Sequence, residues 1–143
     1  MDAAEVDDDP HTLRLRGVSA MERSAISDDH VRAAREEASS LGLDVVHEQT
    51  ERASRVVELV HAARGVHDAI VINPGAFTHY AWSIHDALAA FDGPVIEVHI
   101  SNPNAREPWR HTSVIAPVAD GSIAGLGMLG YELAVRAVAR LVA

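Results

Sequence analysis

A carboxylate and an imidazole interrupt the apolar stretch that runs from Val95 to Ile100. Glu97 and His99 are two residues apart, so both side chains would point to the same face of a β-strand. Because burying either group is costly unless it is paired, the two side chains are expected to interact. The pair indicates either a purely structural contact or a general acid, His99, whose basicity and orientation Glu97 sets. One imidazole and one carboxylate do not supply the ligands of a metal site, so no metal is predicted.

A second polar group follows another apolar stretch. Asn73 ends this stretch and is followed directly by Pro74 and Gly75. Asparagine and glycine are common turn residues, so an ordinary turn is one interpretation. The other is an amide presented at the edge of a sheet, beside backbone N–H groups offered to an anion. Further along, Arg106 and Arg110 indicate either solvated charges or a clamp for an anionic substrate.

Alternating strands and helices would position these residues. Periodicity and turn residues predict strands at 12–16, 43–47, 68–73, 95–100 and 113–116, and helices at 27–41, 51–63, 82–91 and 122–142. Such alternation is typical of an α/β fold, here a flavodoxin-like three-layer sandwich with a five-stranded parallel sheet. Ligands of these sheets bind at the carboxyl ends of the strands, where Asn73 and His99 would lie.

Composition excludes several kinds of chemistry. The chain of 143 residues has no lysine and no cysteine, which excludes a Schiff base, a P-loop lysine, disulfides and thiol catalysis. A net charge of −9 argues against nucleic acid as a partner. No apolar run approaches the roughly 20 residues of a membrane span, and the acidic N-terminus is unlike a signal peptide. We therefore expect a cytoplasmic protein with a disordered acidic tail at 1–11 and a single domain at 12–143.

The order and spacing of several motifs resemble those of the type II 3-dehydroquinate dehydratases. The most specific motif is Glu-Val-His-Ile-Ser-Asn at 97–102, followed by Ala-Arg-Glu at 105–107. The other matching segments are 73–80, 84–88, 94–96, 108–111, 115–119, 125–127 and 130–131. The resemblance covers about residues 27–143. It implies a hydro-lyase that converts 3-dehydroquinate to 3-dehydroshikimate and water, a step of the shikimate pathway and of aromatic amino acid biosynthesis.

For the chemistry, the resemblance implies an anti elimination through an enolate that uses no cofactor. His99 would protonate the departing C1 hydroxyl, and Glu97 would orient His99. Asn73 would hold the water that stabilises the enolate. These three residues are therefore the expected catalytic residues.

For binding, the resemblance implies a small hydroxylated carboxylate as the partner. Its carboxylate would be received by the backbone N–H and hydroxyl groups of Ile100 and Ser101. Arg110 and His79 would hold the ring hydroxyls, and Asp86 would meet a residue of a mobile lid.

The family resemblance also implies a homo-oligomer, a dodecamer built from trimers. The apolar side of the second predicted helix, residues 56–60, is expected to contribute to the contacts between subunits.

The N-terminal region departs from the family's pattern. In the family, a first strand runs into Asn-Gly-Pro-Asn-Leu and a mobile Arg-Glu-Pro-x-x-Tyr-Gly lid follows, whose tyrosine removes the C2 proton. Residues 13–26 contain no asparagine and no tyrosine, and Tyr80 and Tyr131 belong to other motifs. Three interpretations remain open. The chain is a dehydroquinase with a substitute base, such as Glu22 or a residue of a neighbouring subunit; it is a paralogue that acts on another hydroxylated carboxylate; or it is a non-catalytic binding protein.

Overall fold

Strands and helices alternate along the computed structural model, which describes residues 13–19 and 28–142. The strands are β1 (Leu13–Ser19), β2 (Leu43–Gln49), β3 (Ala69–Asn73), β4 (Val95–His99) and β5 (Gly121–Ala124). The helices are α1 (Asp28–Ser40), α2 (Ala53–Ala63), α3 (Trp82–Ala89) and α4 (Leu129–Leu141). The α/β class expected from the sequence is confirmed.

The strands pair in the order β2-β1-β3-β4-β5, and every pairing is parallel. The strand order therefore changes direction between β1 and β3, which is where ligands bind in sheets of this kind. β3 and β4 are neighbours, with Ile70 opposite Val95. Because parallel strands end at the same edge of the sheet, Asn73 and His99 both lie at its carboxyl edge.

Helices cover both faces of the sheet. On one face, α2 and α3 pack against Ile70, Ile72 and Val95, and on the other α1 and α4 pack against Val71 and Val98. β3 is buried at all five of its positions, as its continuous apolar run predicts for a strand covered on both sides. Among the helices in this part of the chain, none is long and apolar enough to cross a membrane.

The apolar stripe of α2 faces the protein's own core. Val56, Leu59 and Val60 are each at most 3% exposed, and they belong to the cluster that includes α3 and the even-numbered positions of β3. The spacing of these residues is that of one helix face. The expectation that this face mediates subunit contacts is therefore wrong, because its side chains are already buried within the chain.

The C-terminal third contains the main error of the sequence-based prediction. Ser113–Ala116 was expected to be the fifth strand, but Ser113 Oγ accepts hydrogen bonds from the backbone N–H groups of Ile115 at 3.1 Å and Ala116 at 2.9 Å, and the chain bends there. The fifth strand is instead Gly121–Ala124, within the segment expected to begin the last helix. That helix begins at Leu129. The tail at 1–11 and the expected helix cap at Ser27 lie outside the described residues.

Candidate active site

A cavity of about 130 Å³ lies at the carboxyl ends of β3 and β4. Most of the residues expected from the sequence to form the site contribute to its wall. The described residues that line it are Asn73, Gly75, Ala76, His79, His99, Ile100, Ser101, Pro103, Arg106 and Arg110. None of these is a carboxylate, so the wall is cationic and suited to an anion.

The expected contact between Glu97 and His99 is confirmed. His99 Nε2 donates a hydrogen bond to Glu97 Oε2 at 2.6 Å, and Glu97 is only 1% exposed. Burial alone would raise the pKa of Glu97, but hydrogen bonds from His99, Thr78 and Ser113 outweigh it and hold the pKa below its ordinary value. The carboxylate is therefore ionised at neutral pH. With Nε2 held by Glu97, Nδ1 is the ring nitrogen of His99 that is left for a ligand, and His99 lines the cavity.

Two hydroxyl groups contact the same carboxylate. Thr78 Oγ1 donates a short hydrogen bond to Glu97 Oε2, and Ser113 Oγ lies 3.0 Å from both carboxylate oxygens. Neither residue is among those that the sequence predicts for the site. Thr78 directly precedes His79 in a matching motif, which was an available signal. Ser113 was hidden because its segment was interpreted as a strand.

Asn73 is fixed in place by bonds on both sides of its amide. Its Nδ2 donates to the hydroxyl of Tyr131 on α4 at 2.8 Å, and its Oδ1 accepts from the backbone N–H of Gly75 at 3.0 Å. The residue is 2% exposed. The sequence offered two interpretations of this turn, and both hold in part. The side chain of Asn73 closes the turn by accepting from the Gly75 N–H, as an ordinary turn residue does. Asn73 also lines the cavity, as a residue presented at the edge of the sheet would.

The rim of the cavity is built around Trp109. The guanidinium of Arg110 lies 4.1 Å from the centre of the indole ring, and the ring of His79 meets Trp109 edge-on at 5.3 Å. His79 Nδ1 also donates to the carbonyl oxygen of Thr112 at 2.7 Å. Arg110 Nε donates to the carboxylate of Glu107, and this hydrogen bond lowers the pKa of Glu107. The cation of Arg110 is thus oriented from two sides beside the cavity.

The remaining expected binding residues divide into two groups. Ile100 and Ser101 line the cavity directly after β4. Asp86 does not, and it is exposed on α3. It is the fifth residue of that helix, which places it about 6 Å along the axis from the first residue. The expected partner of Asp86, a residue of the lid, belongs to the N-terminal region and lies outside the described residues, so this contact stays a prediction.

Within residues 13–19 and 28–142, no group of three metal-ligating side chains lies close enough together to hold a metal ion. The arrangement that is present is a buried carboxylate, an imidazole whose second nitrogen is open, a fixed amide and two arginines. Such a set can deliver a proton to an oxygen of a bound anion.

Known proteins resemble the chain over most of its length. The family model described as dehydroquinase class II matches residues 17–139. A 3-dehydroquinate dehydratase of Halalkalibacterium halodurans is 46% identical over 115 residues, which cover 80% of this chain and 79% of the relative. One of Bacillus licheniformis is 54% identical over 87 residues, 61% of this chain and 60% of the relative. The crystal structure of the type II dehydroquinase of Propionibacterium acnes superposes with a TM-score of 0.81 at 38% identity, covering 91% of this chain and 98% of that one. The chain belongs to the class II dehydroquinase family.

Proposed function

We propose that the chain is a 3-dehydroquinate dehydratase, a hydro-lyase that eliminates water from 3-dehydroquinate to give 3-dehydroshikimate. The observation that carries the proposal is the Glu97–His99 pair at a cationic cavity. The relatives named for this activity are 46% and 54% identical to the chain. Their names favour dehydroquinate over another hydroxylated carboxylate, and they favour an enzyme over a binding protein.

In the proposed reaction, the substrate carboxylate binds at Ile100 and Ser101, and the ring hydroxyls bind at His79 and Arg110. Removal of the C2 proton moves its electron pair towards the C3 carbonyl and forms an enolate. A water held by Asn73 stabilises the enolate oxygen. When the enolate collapses, the C1–O bond breaks and the leaving hydroxyl takes a proton from His99. The departing group is therefore water, and no cofactor is needed.

No tyrosine is among the described residues of the cavity wall, so the base that removes the C2 proton must be sought elsewhere. The only tyrosines are Tyr80 and Tyr131. Tyr80 is 61% exposed, and the hydroxyl of Tyr131 is bonded to Asn73. Neither lines the cavity. We propose that the base is Glu22 or a group of a neighbouring subunit; Glu22 lies outside the described residues.

A direct assay tests the function. Purified protein mixed with 3-dehydroquinate should produce the ultraviolet absorbance of the conjugated product, 3-dehydroshikimate. The His99→Ala variant, purified in parallel, serves as the control for a contaminating host enzyme. Absence of product at millimolar substrate and high protein concentration would overturn the proposal.

Ligand binding is expected to depend on Arg110. Replacing Arg110 by alanine removes a cation of the cavity wall that packs on Trp109, so binding of quinate should become undetectable by isothermal titration calorimetry. Arg55→Ala is the matched control, because Arg55 pairs with Glu58 on the exposed side of α2 and such pairs contribute little to stability. Quinate affinity that is equal in the wild type and in Arg110→Ala would contradict this assignment.

We also propose that the protein assembles into trimers and that these form a dodecamer. Large aromatic side chains remain exposed at the start of α3 and just before it, with Tyr80 at 61% and Trp82 at 60%. Such side chains are enriched at protein interfaces. Multi-angle light scattering at micromolar concentration should give a mass several times 15.3 kDa. A monomeric mass would exclude the assembly.

The strand order supports the finer architecture expected from the sequence. We propose that residues 12–143 form one flavodoxin-like domain, with a five-stranded sheet between two helical layers, because the order β2-β1-β3-β4-β5 is that of flavodoxin.

The cytoplasmic location also stays a prediction from the sequence.

A further inference from the structure

The proposed reaction uses His99 and Glu97 but gives no role to the two hydroxyl groups behind them. Thr78 is 1% exposed, and its Oγ1 lies 2.8 Å from Ser113 Oγ as well as against Glu97. The backbone carbonyl of Thr78 also accepts from the N–H of Val114 at 2.7 Å. The segment Ser113–Val114 is thus joined to Thr78 by one main-chain hydrogen bond and by one contact between side-chain hydroxyl groups.

Counting protons fixes the direction of these hydrogen bonds. Ser113 Oγ accepts from the N–H groups of Ile115 and Ala116, and a hydroxyl has two lone pairs and one proton. Ser113 can therefore only donate, and its single proton goes either to Thr78 Oγ1 or to a carboxylate oxygen of Glu97. Thr78 in turn has only Glu97 left as an acceptor. The hydrogen bonds of these two hydroxyl groups are therefore all directed towards Glu97, whose carboxylate accepts them.

We propose that Thr78 and Ser113 are positioning residues for the acid of the reaction. Their hydroxyl groups hold the Glu97 carboxylate in one orientation as an acceptor, so that it fixes the Nε2–H of His99 and leaves Nδ1 to face the ligand. The inference rests on the proposed function, because it assigns these residues a part in delivering the proton to the leaving hydroxyl.

Removing the donors should change the pH dependence in a defined direction. Burial raises the pKa of Glu97, and the hydrogen bonds from Thr78 and Ser113 lower it. Because each variant loses one of these hydrogen bonds, the pKa of Glu97 should rise. The acid limb of kcat/KM should then move to higher pH. In the part of the chain that the structure describes, the titratable groups around the pair include His79 and His85, each bonded to a backbone carbonyl, and the guanidinium groups of Arg106 and Arg110. None of the four is hydrogen-bonded to the side-chain hydroxyl groups that the variants remove.

The main experiment compares four variants with the wild type. Thr78→Val keeps the shape but loses the hydroxyl, and Thr78→Ser keeps the hydroxyl. Ser113→Ala removes the second donor, and Ser122→Ala, on the exposed side of β5, is the control. We expect Thr78→Val and Ser113→Ala each to lower kcat at least about tenfold, the effect of one hydrogen bond to a charged group. Both should shift the acid limb upward, whereas Thr78→Ser and Ser122→Ala should resemble the wild type. Unchanged kcat and an unchanged limb in Thr78→Val and Ser113→Ala would overturn the inference.

A second measurement does not require activity. If the wild type forms no 3-dehydroshikimate, the proposed function fails, but the positioning can still be tested by ¹⁵N NMR of the histidine rings, with His99 assigned from His99→Ala. The wild type should show His99 with its proton fixed on Nε2, and Thr78→Val and Ser113→Ala should show exchange between ring tautomers. Identical His99 signals in the wild type and both variants would show that the hydroxyl groups do not position the pair.

Discussion

Replacing His99 by alanine should lower kcat by roughly 10²- to 10⁴-fold, the usual contribution of a positioned general acid. Among the described residues, no other imidazole is hydrogen-bonded to Glu97. His79 also lines the cavity, but its Nδ1 is bonded to the carbonyl oxygen of Thr112 and not to Glu97. Steady-state kinetics with 3-dehydroquinate would measure the loss, with His61→Ala on the exposed side of α2 as a control.

Glu97→Gln should have a smaller effect than His99→Ala. It removes the ionised partner and changes the pose of His99, but it leaves the proton donor in the cavity. A His99→Ala variant that retained wild-type turnover would mean that the leaving hydroxyl is protonated by another group, and the site assignment would be wrong.

The largest expected effect on stability is at Gly93, in the turn between α3 and β4. A Cβ atom there would lie 2.1 Å from the backbone carbonyl oxygen of Asp68 and 2.9 Å from a ring carbon of Phe91. The Asp68 carbonyl is main chain directly before β3, so relief requires separating β3 from β4, which are joined here by the bond from Ile70 N to Pro94 O at 2.9 Å. Gly93→Ala should therefore lower the free energy of unfolding by about 1–3 kcal/mol or more, the usual cost of overpacking.

Thermal and urea unfolding would measure this loss. Gly121→Ala is the matched control, because its Cβ would meet only Ile96 Cδ1, at an ordinary 3.8 Å. Equal unfolding midpoints for the two variants would show that the close approach at Gly93 is relieved at little cost.

The parts of the fold that sequence predicted well are those with a dense and continuous apolar pattern. β3 and β4 were placed to within one residue, because strands covered on both faces must be apolar throughout. β5 was missed for the opposite reason. It has four residues, Gly121-Ser122-Ile123-Ala124, and only alternate positions are partly buried. The apolar segment Val114–Ala116 was the stronger strand signal, and nothing local showed that Ser113 would bend it.

The site was predictable where the functional side chains belong to one element. The spacing of Glu97 and His99 on one strand was sufficient to predict their contact. The hydroxyl groups of Thr78 and Ser113 reach Glu97 from 19 and 16 residues away along the chain, so strand periodicity could not indicate them. The same limit applies to the bond between Asn73 and Tyr131, which are 58 residues apart.

The position of Trp109 gives the protein an optical reporter of its own. The chain has two tryptophans, and Trp109 contacts both His79 and Arg110, two residues of the cavity wall. If a bound anion draws Arg110 away from the indole ring, the fluorescence of Trp109 should change in intensity. With Trp82→Phe, the remaining emission would follow occupancy of the cavity alone, so binding and release could be timed by stopped flow without a coupled assay or a label.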